Sequence, residues 1–205
     1  MLEALTGSGL AAAAGLNAYI PLLAVGVLSR YTDWINLPPQ WQWLQNGWVL
    51  LVLAVLLVVE VVADKIPVVD HINDVLGTVV RPTAGGLAFG ATAGAPTLTV
   101  PDPSLATDQP TWVPLVVGAL IALLVHGLKV TVRPVANIAS GGTAAPVVST
   151  GEDITSVVMS IVAILLPILV LVGLVVIALG GWWLWNRRSR RKARRHERTS
   201  DATPS

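Results

Sequence analysis

Residues 154–185 contain no charged side chain. As a helix, that run would extend about 48 Å, more than the ~30 Å hydrocarbon core of a bilayer. It must therefore tilt, kink near Pro167 or project. Two further apolar stretches, 5–30 and 48–65, are also long enough to span. Only 12% of the 205 residues are charged and 54% are hydrophobic, whereas soluble domains carry about 25% charged residues. Long apolar runs need backbone groups paired within their own segment, and helices meet that need. The expected fold class is all-α integral membrane.

Charge is unevenly placed. Eight of the thirteen Lys and Arg residues fall between Arg187 and Arg198. The natural division is a polytopic transmembrane domain, 1–186, and a basic cytoplasmic tail, 187–205, expected to be disordered. The chain has no cysteine, which excludes disulfides and thiolate metal sites. Met-Leu-Glu at the start lacks a basic n-region, so the first apolar stretch reads as a retained helix.

About six transmembrane helices follow in order, some short, kinked or broken. In 5–30, Pro21 cannot donate to the Asn17 carbonyl, which predicts a kink there. Residues 31–47 hold Trp34, Trp41 and Trp43 among prolines, suiting a headgroup layer. Helix two runs from Trp48 to Lys65. Residues 68–80 read as a short interfacial helix. Arg81-Pro82 then opens a third segment, 82–96, of only about 21 Å. Trp112 opens a helix to Lys129, and Arg133-Pro134 opens another short segment, 134–146. The final run starts at 154. The basic tail places the C-terminus in the cytoplasm. Six spans then place the N-terminus there too, in a bacterial plasma (inner) membrane. The loops expected outside, 31–47, 97–112 and 149–153, contain no Lys or Arg.

Thr78-Val-Val-Arg-Pro82 is echoed by Thr131-Val-Arg-Pro134. Each follows a helix that begins Trp-Val and ends in Lys. A pseudo-repeated helical hairpin accounts for this, and chance similarity in apolar sequence is the alternative. Repeat interfaces and broken helices are where transporters place their sites.

Glu60 is the costliest residue, roughly 2.5–3.5 kcal/mol for a charge at the bilayer centre. Asp64 lies one turn further on the same face. Asn17, Glu60, Asp64 and His126 are the expected lining of a substrate or ion cavity. Glu60 and Asp64 are the candidate ligands for a hard cation, with the metal left open. Asp70, His71 and Asp74 fit either a relay or the solvated face of an interfacial helix. Arg81 and Arg133, each just before an expected helix start, are candidate anion-binding residues. Two other readings of the arginines are snorkelling orientation signals and, for Arg81, an ion pair with Glu60 or Asp64. No cofactor, catalytic motif or nucleic-acid partner is expected. The partners are the lipid bilayer, anionic lipid at the tail and a second copy through Gly/Ala-rich helices.

The run Thr6-Gly-Ser-Gly-Leu-Ala-Ala-Ala-Ala-Gly-Leu-Asn-Ala-Tyr-Ile-Pro21, with Val80-Arg-Pro-Thr-Ala-Gly-Gly86, resembles domain-of-unknown-function family 4126, uncharacterised bacterial polytopic membrane proteins. That resemblance covers most of residues 1–180. It implies an inner-membrane protein and supplies no activity. Gly15-Leu-Asn17 with Pro21 resembles the opening of lysine-exporter-type transporters. Glu60-Val-Val-Ala-Asp64-Lys65 resembles the E-x-G-D-K motif of calcium/manganese antiporters, with one extra residue and no glycine. The leading functional expectation is proton- or cation-coupled movement of a small solute or ion. Anionic-lipid or phosphate binding or lipid translocation through Arg81 and Arg133, and a non-transporting scaffold, stand beside it; an enzyme is not expected.

Overall fold

A computed structural model describes residues 2–98, 101, 112–139, 145–173, 175, 176 and 179, without the side chains of 67–71, 132–139 and 145. The described residues form α1 (Leu2–Leu16), α2 (Tyr19–Tyr31), a 3-10 helix (Pro39–Gln45), α3 (Gly47–Ala63), α4 (Pro67–Ala93), α5 (Trp112–Ala139) and α6 (Ala145–Leu165). Their only strand-like pairing is an antiparallel bridge between Ile35 and Thr97. Two compact units divide the chain, Met1–Val170 and Leu171–Ser205. In the second, residues 171–173, 175, 176 and 179 are helical. The tail expected to be basic, disordered and lipid-binding lies outside the described residues.

The first unit is built inside out relative to a soluble domain. Its interior is rich in small residues and also holds charge: Ala11 to Ala14 are fully buried, and so is Arg81. Its surface is large and apolar. On α3 only Leu50 and Glu60 are buried, while Leu51, Val52, Val55, Val58, Val59 and Val62 are exposed. Water would penalise such a face and lipid does not. The apolar helices mark a membrane protein. Small residues on α1 suit the centre of the bundle, because backbone approach replaces the hydrophobic effect between helices in lipid.

The expected first span is instead two helices. Asn17 N–H still bonds the Ala13 carbonyl at 3.0 Å. The helix then stops, one turn before Pro21, where the missing proline N–H leaves the Asn17 carbonyl without its donor. The Asn17 side-chain oxygen accepts from Tyr19 N at 3.1 Å and Ile20 N at 3.3 Å, satisfying first-turn donors of α2. The chain also reverses here. Gly7 of α1 lies against Phe89 of α4, Gly90 against Trp41, and Gly26 of α2 against Leu44 and Leu50. Arg30 at the end of α2 donates to the Gln45 carbonyl at 2.5 Å. Leu2 and Tyr31 therefore share one end of the bundle with Trp41 and the start of α3. The expectation of one kinked span, with those residues on opposite sides, is corrected.

Two more boundaries move. α4 is continuous through Pro82, where a new segment was expected to begin. α5 continues through Pro134 to Ala139. Each proline removes one intrahelical bond, and tight packing holds α4 straight on: Gly85 and Gly118 bring the α4 and α5 backbones into contact. α6 begins at Ala145 and already contains Glu152 and Asp153, which were expected in an external loop. Lys129 Nζ lies 2.9 Å from Glu152 Oε2, so α5 and α6 fold back on one another. Residues 134–139 of the expected segment 134–146 prolong α5, and its last two open α6.

Among the described residues two helices, Trp112–Thr131 and Pro146–Leu165, are long and apolar enough to cross a membrane, and Pro39–Gln45 with Gly47–Ala63, bent by 60°, adds a third if the pair is one span. α1 and α2, at about 22 and 20 Å, are shorter than a bilayer core. The expected kink near Pro167 falls at Leu166, outside the helix. Ala163 and Val170, on either side of that break, both close on Gly9.

Candidate functional site

Polar side chains from four helices, α3 to α6, meet the C-terminal end of α1 at the end of the bundle away from Trp41 and Trp48. α3 brings Glu60 and Asp64 in its last turn and at its C-cap. α4 brings Asn73, Asp74, Thr78 and Arg81. These recur at helical spacing on one face, a pattern visible only if the helix runs through Pro82. α5 brings His126 and Lys129, three residues apart and so neighbours on its surface. α6 brings Glu152 and Asp153, and α1 ends there at Leu16.

Arg81 is the hub. Its Nε and Nη2 donate to the same Glu60 oxygen, Oε1, at 3.2 and 3.0 Å. Nη2 also stands 3.8 Å from Asp64 Oδ2, and Nη1 3.6 Å from Asp74 Oδ1. On the far side Nη1 is 2.8 Å from His126 Nδ1. Glu60 Oε2, in a residue only 5% exposed, has no hydrogen-bond partner among the described residues. Tyr19, at the start of α2, is within electrostatic reach of both Glu60 and Arg81.

Lys129 forms a second hub with its side chain fully enclosed. Its ammonium reaches Asp64 Oδ2 at 3.2 Å, Glu152 Oε2 at 2.9 Å and the Leu16 carbonyl at 3.3 Å. Two of these are hydrogen bonds, to Asp64 and to the Leu16 carbonyl, the latter at the negative end of the α1 dipole, and Glu152 adds an ion pair. Asp64 also accepts from Asn73 Nδ2 at 2.6 Å. Asn17 Nδ2 donates to Asp153 Oδ1 at 2.9 Å, and Ser156 Oγ to the Ala13 carbonyl at 3.0 Å. The tip of the α1–α2 hairpin is therefore docked on α5 and α6.

All four expected cavity residues, Asn17, Glu60, Asp64 and His126, fall in this layer and are buried. Hydrogen bonds and ion pairs join them to Arg81, Lys129 and Asp153. Arg81 joins them, but not as an anion site at a helix start. It lies inside α4 and its guanidinium is taken up by Glu60, as the ion-pair alternative had it. The side chains of Arg133, Asp70 and His71 lie outside the described residues. The backbone of Arg133 is inside α5, also not at a helix start. No group of three or more His, Asp or Glu side chains suited to a metal occurs among the described residues. Lys129, Glu152 and Asp153 were missed, having been read as loop residues. The echo of hairpins gives its two terminal lysines different surroundings: Lys65 is half-buried and bonds the Val61 carbonyl of its own helix at 3.2 Å.

The layer also places the sequence signatures in space. Thr6 to Pro21 forms the central hairpin, and Val80 to Gly86 carries Arg81 and the close α4–α5 contact. A family model, the domain of unknown function DUF4126, matches residues 4–187. The chain belongs to that family. The matched DUF4126 region contains the entire hairpin tip and ion-pair layer. No curated protein and no solved structure matches the chain.

Proposed function

We propose that this DUF4126 protein is a proton- or cation-coupled transporter of a small solute or ion in the bacterial plasma membrane, with Glu60 as the coupling carboxylate. The observation that carries the reading is the state of Glu60. One of its oxygens holds Arg81 and the other, buried, bonds to no described residue. A carboxylate that serves only as a structural partner is best with both oxygens satisfied, because an unmade buried bond costs about 1–3 kcal/mol. Its position beside a broken helix adds support, since discontinuous helices are where transporters hold coupling ions. In this reading all six helices contribute to the membrane domain. The end bearing Lys65 and Lys129 faces the cytoplasm, and α1–α2 enters from the opposite side as a re-entrant hairpin. Anionic-lipid binding through Arg81 is disfavoured because the residue is fully buried and its charge faces the carboxylates of Glu60, Asp64 and Asp74.

Solid-supported-membrane electrophysiology on the reconstituted protein tests the proposal. Jumps in pH, Na⁺, K⁺, Mg²⁺ and Ca²⁺ would be applied in turn. The native chain is expected to displace charge in response to at least one of them, and folded Glu60→Gln to lose that response. A native chain silent to every jump, or a Glu60→Gln variant that matches it, would overturn the reading.

A further inference from the structure

Arg81 and His126 stand in a relation that fixes where protons can sit. A guanidinium has donors and no acceptor, and it stays charged in proteins. Nη1, 2.8 Å from His126 Nδ1, must therefore donate, and Nδ1 must present its lone pair. The ring proton is then on Nε2, which faces the Asp74 carbonyl at 3.2 Å and Thr78 Oγ1 at 3.4 Å. Thr78 Oγ1 itself donates to the Asp74 carbonyl at 3.2 Å. His126 is thereby held as the neutral Nε2–H form by groups on α4.

We infer that His126 Nδ1 is a proton-binding site whose occupancy excludes Arg81. This rests on the transporter reading above and narrows its coupling ion to a proton. A proton from water forms an N–H bond at Nδ1, and the Nη1–H···Nδ1 hydrogen bond breaks. No proton leaves Arg81, which keeps Nε and Nη2 on Glu60 Oε1. Nη1 turns to Asp74 Oδ1, already 3.6 Å away. Release of the proton reverses each change. The exchange moves Arg81 Nη1 from α5 to α4 without unmaking its pair with α3, while His126 stays on the Asp74 carbonyl through Nε2. α5 also carries Lys129, which holds the hairpin tip at Leu16. Charged or titratable groups face this site from every packed helix: Tyr19 on α2, Glu60 and Asp64 on α3, Asp74 and Arg81 on α4, Lys129 on α5, and Glu152 on α6 through Lys129.

Solid-state ¹⁵N NMR on the full chain in lipid, with labelled His and Arg, tests this directly. At neutral pH, His126 should show a lone-pair nitrogen at Nδ1 and a protonated Nε2, with a cross-peak from Nδ1 to the Arg81 guanidinium. On acidification, the imidazolium signals should replace it as that cross-peak disappears. A protonated Nδ1 at neutral pH, or an imidazolium that keeps the Arg81 cross-peak, overturns the inference. His126→Gln supplies a second arm, because its amide oxygen can accept from Arg81 but takes no proton. The pH-jump charge displacement should fall in His126→Gln, and an unchanged displacement overturns the inference. The two proposals fail separately. If the NMR result holds but the native chain displaces no charge, the site binds a proton and the transporter reading is lost. If charge still moves but Nδ1 is protonated beside Arg81, transport stands on Glu60 without His126.

Discussion

The cost of Arg81 depends on its neighbours. Breaking one side of a buried ion pair strands the other charge and typically costs about 3–5 kcal/mol, whereas removing both charges together costs far less. Arg81→Ala should therefore destabilise the protein by that amount. Glu60→Gln/Arg81→Met should recover most of the loss, as judged by thermal unfolding in detergent. Equal destabilisation by the single and double changes would show that the pair is not mutually compensated. Much of this layer was legible from the sequence, because a Glu, an Asp, a His and an Asn inside apolar runs have few uses besides meeting one another. Lys129 and Glu152 were not legible. They sit next to segment ends, where a lysine looks like an orientation signal and a Gly-Glu-Asp looks like a turn. Only the three-residue step from His126 to Lys129 pointed inward.

Among elements, the contact of α4 with α5 is the tightest test of packing. A Cβ placed on Gly85 would stand 2.4 Å from the Ala122 Cβ and 2.9 Å from the Gly118 carbonyl oxygen. Overpacking of this kind costs typically about 1–3 kcal/mol, so Gly85→Ala should lower the unfolding temperature. Gly127, on the same helix as Gly118, has nothing within 4 Å of a built Cβ. Gly127→Ala should be neutral or stabilising by up to about 1 kcal/mol. Helix existence was readable from apolar runs, and helix ends were not. Pro82 and Pro134 were taken as starts because proline favours a first turn. Yet a packed glycine face carries α4 straight through. Pro21 misled in the other direction. It marked a real break, but a break four residues earlier with a reversal of direction, which depends on Asn17 finding Asp153 far away in sequence.

For the whole molecule, the reversal makes a prediction about sidedness. The chain has no cysteine, so single cysteines can be introduced without background. Cysteines at Leu2, Tyr31 and Trp48, all exposed, should react with an impermeant maleimide from one side of the membrane. Those at Lys65 and at exposed Gly151 should react from the other. Labelling of Leu2 together with Lys65 would restore a single first span and remove the hairpin.

The docking of the hairpin tip also sets an order of assembly. Leu16 and Asn17 are held by Lys129 and Asp153, and Ala13 by Ser156, more than a hundred residues later in the chain. During synthesis α2 can meet Leu44 and Leu50, and α1 can meet Phe89, before α6 is made, whereas the tip completes its bonds only once α6 is present. Neither α1 nor α2 is long enough to settle across a bilayer alone. The hairpin is thus bolted at its tip last: a chain cut before α6 would lack two of these three bonds, those from Asp153 and Ser156.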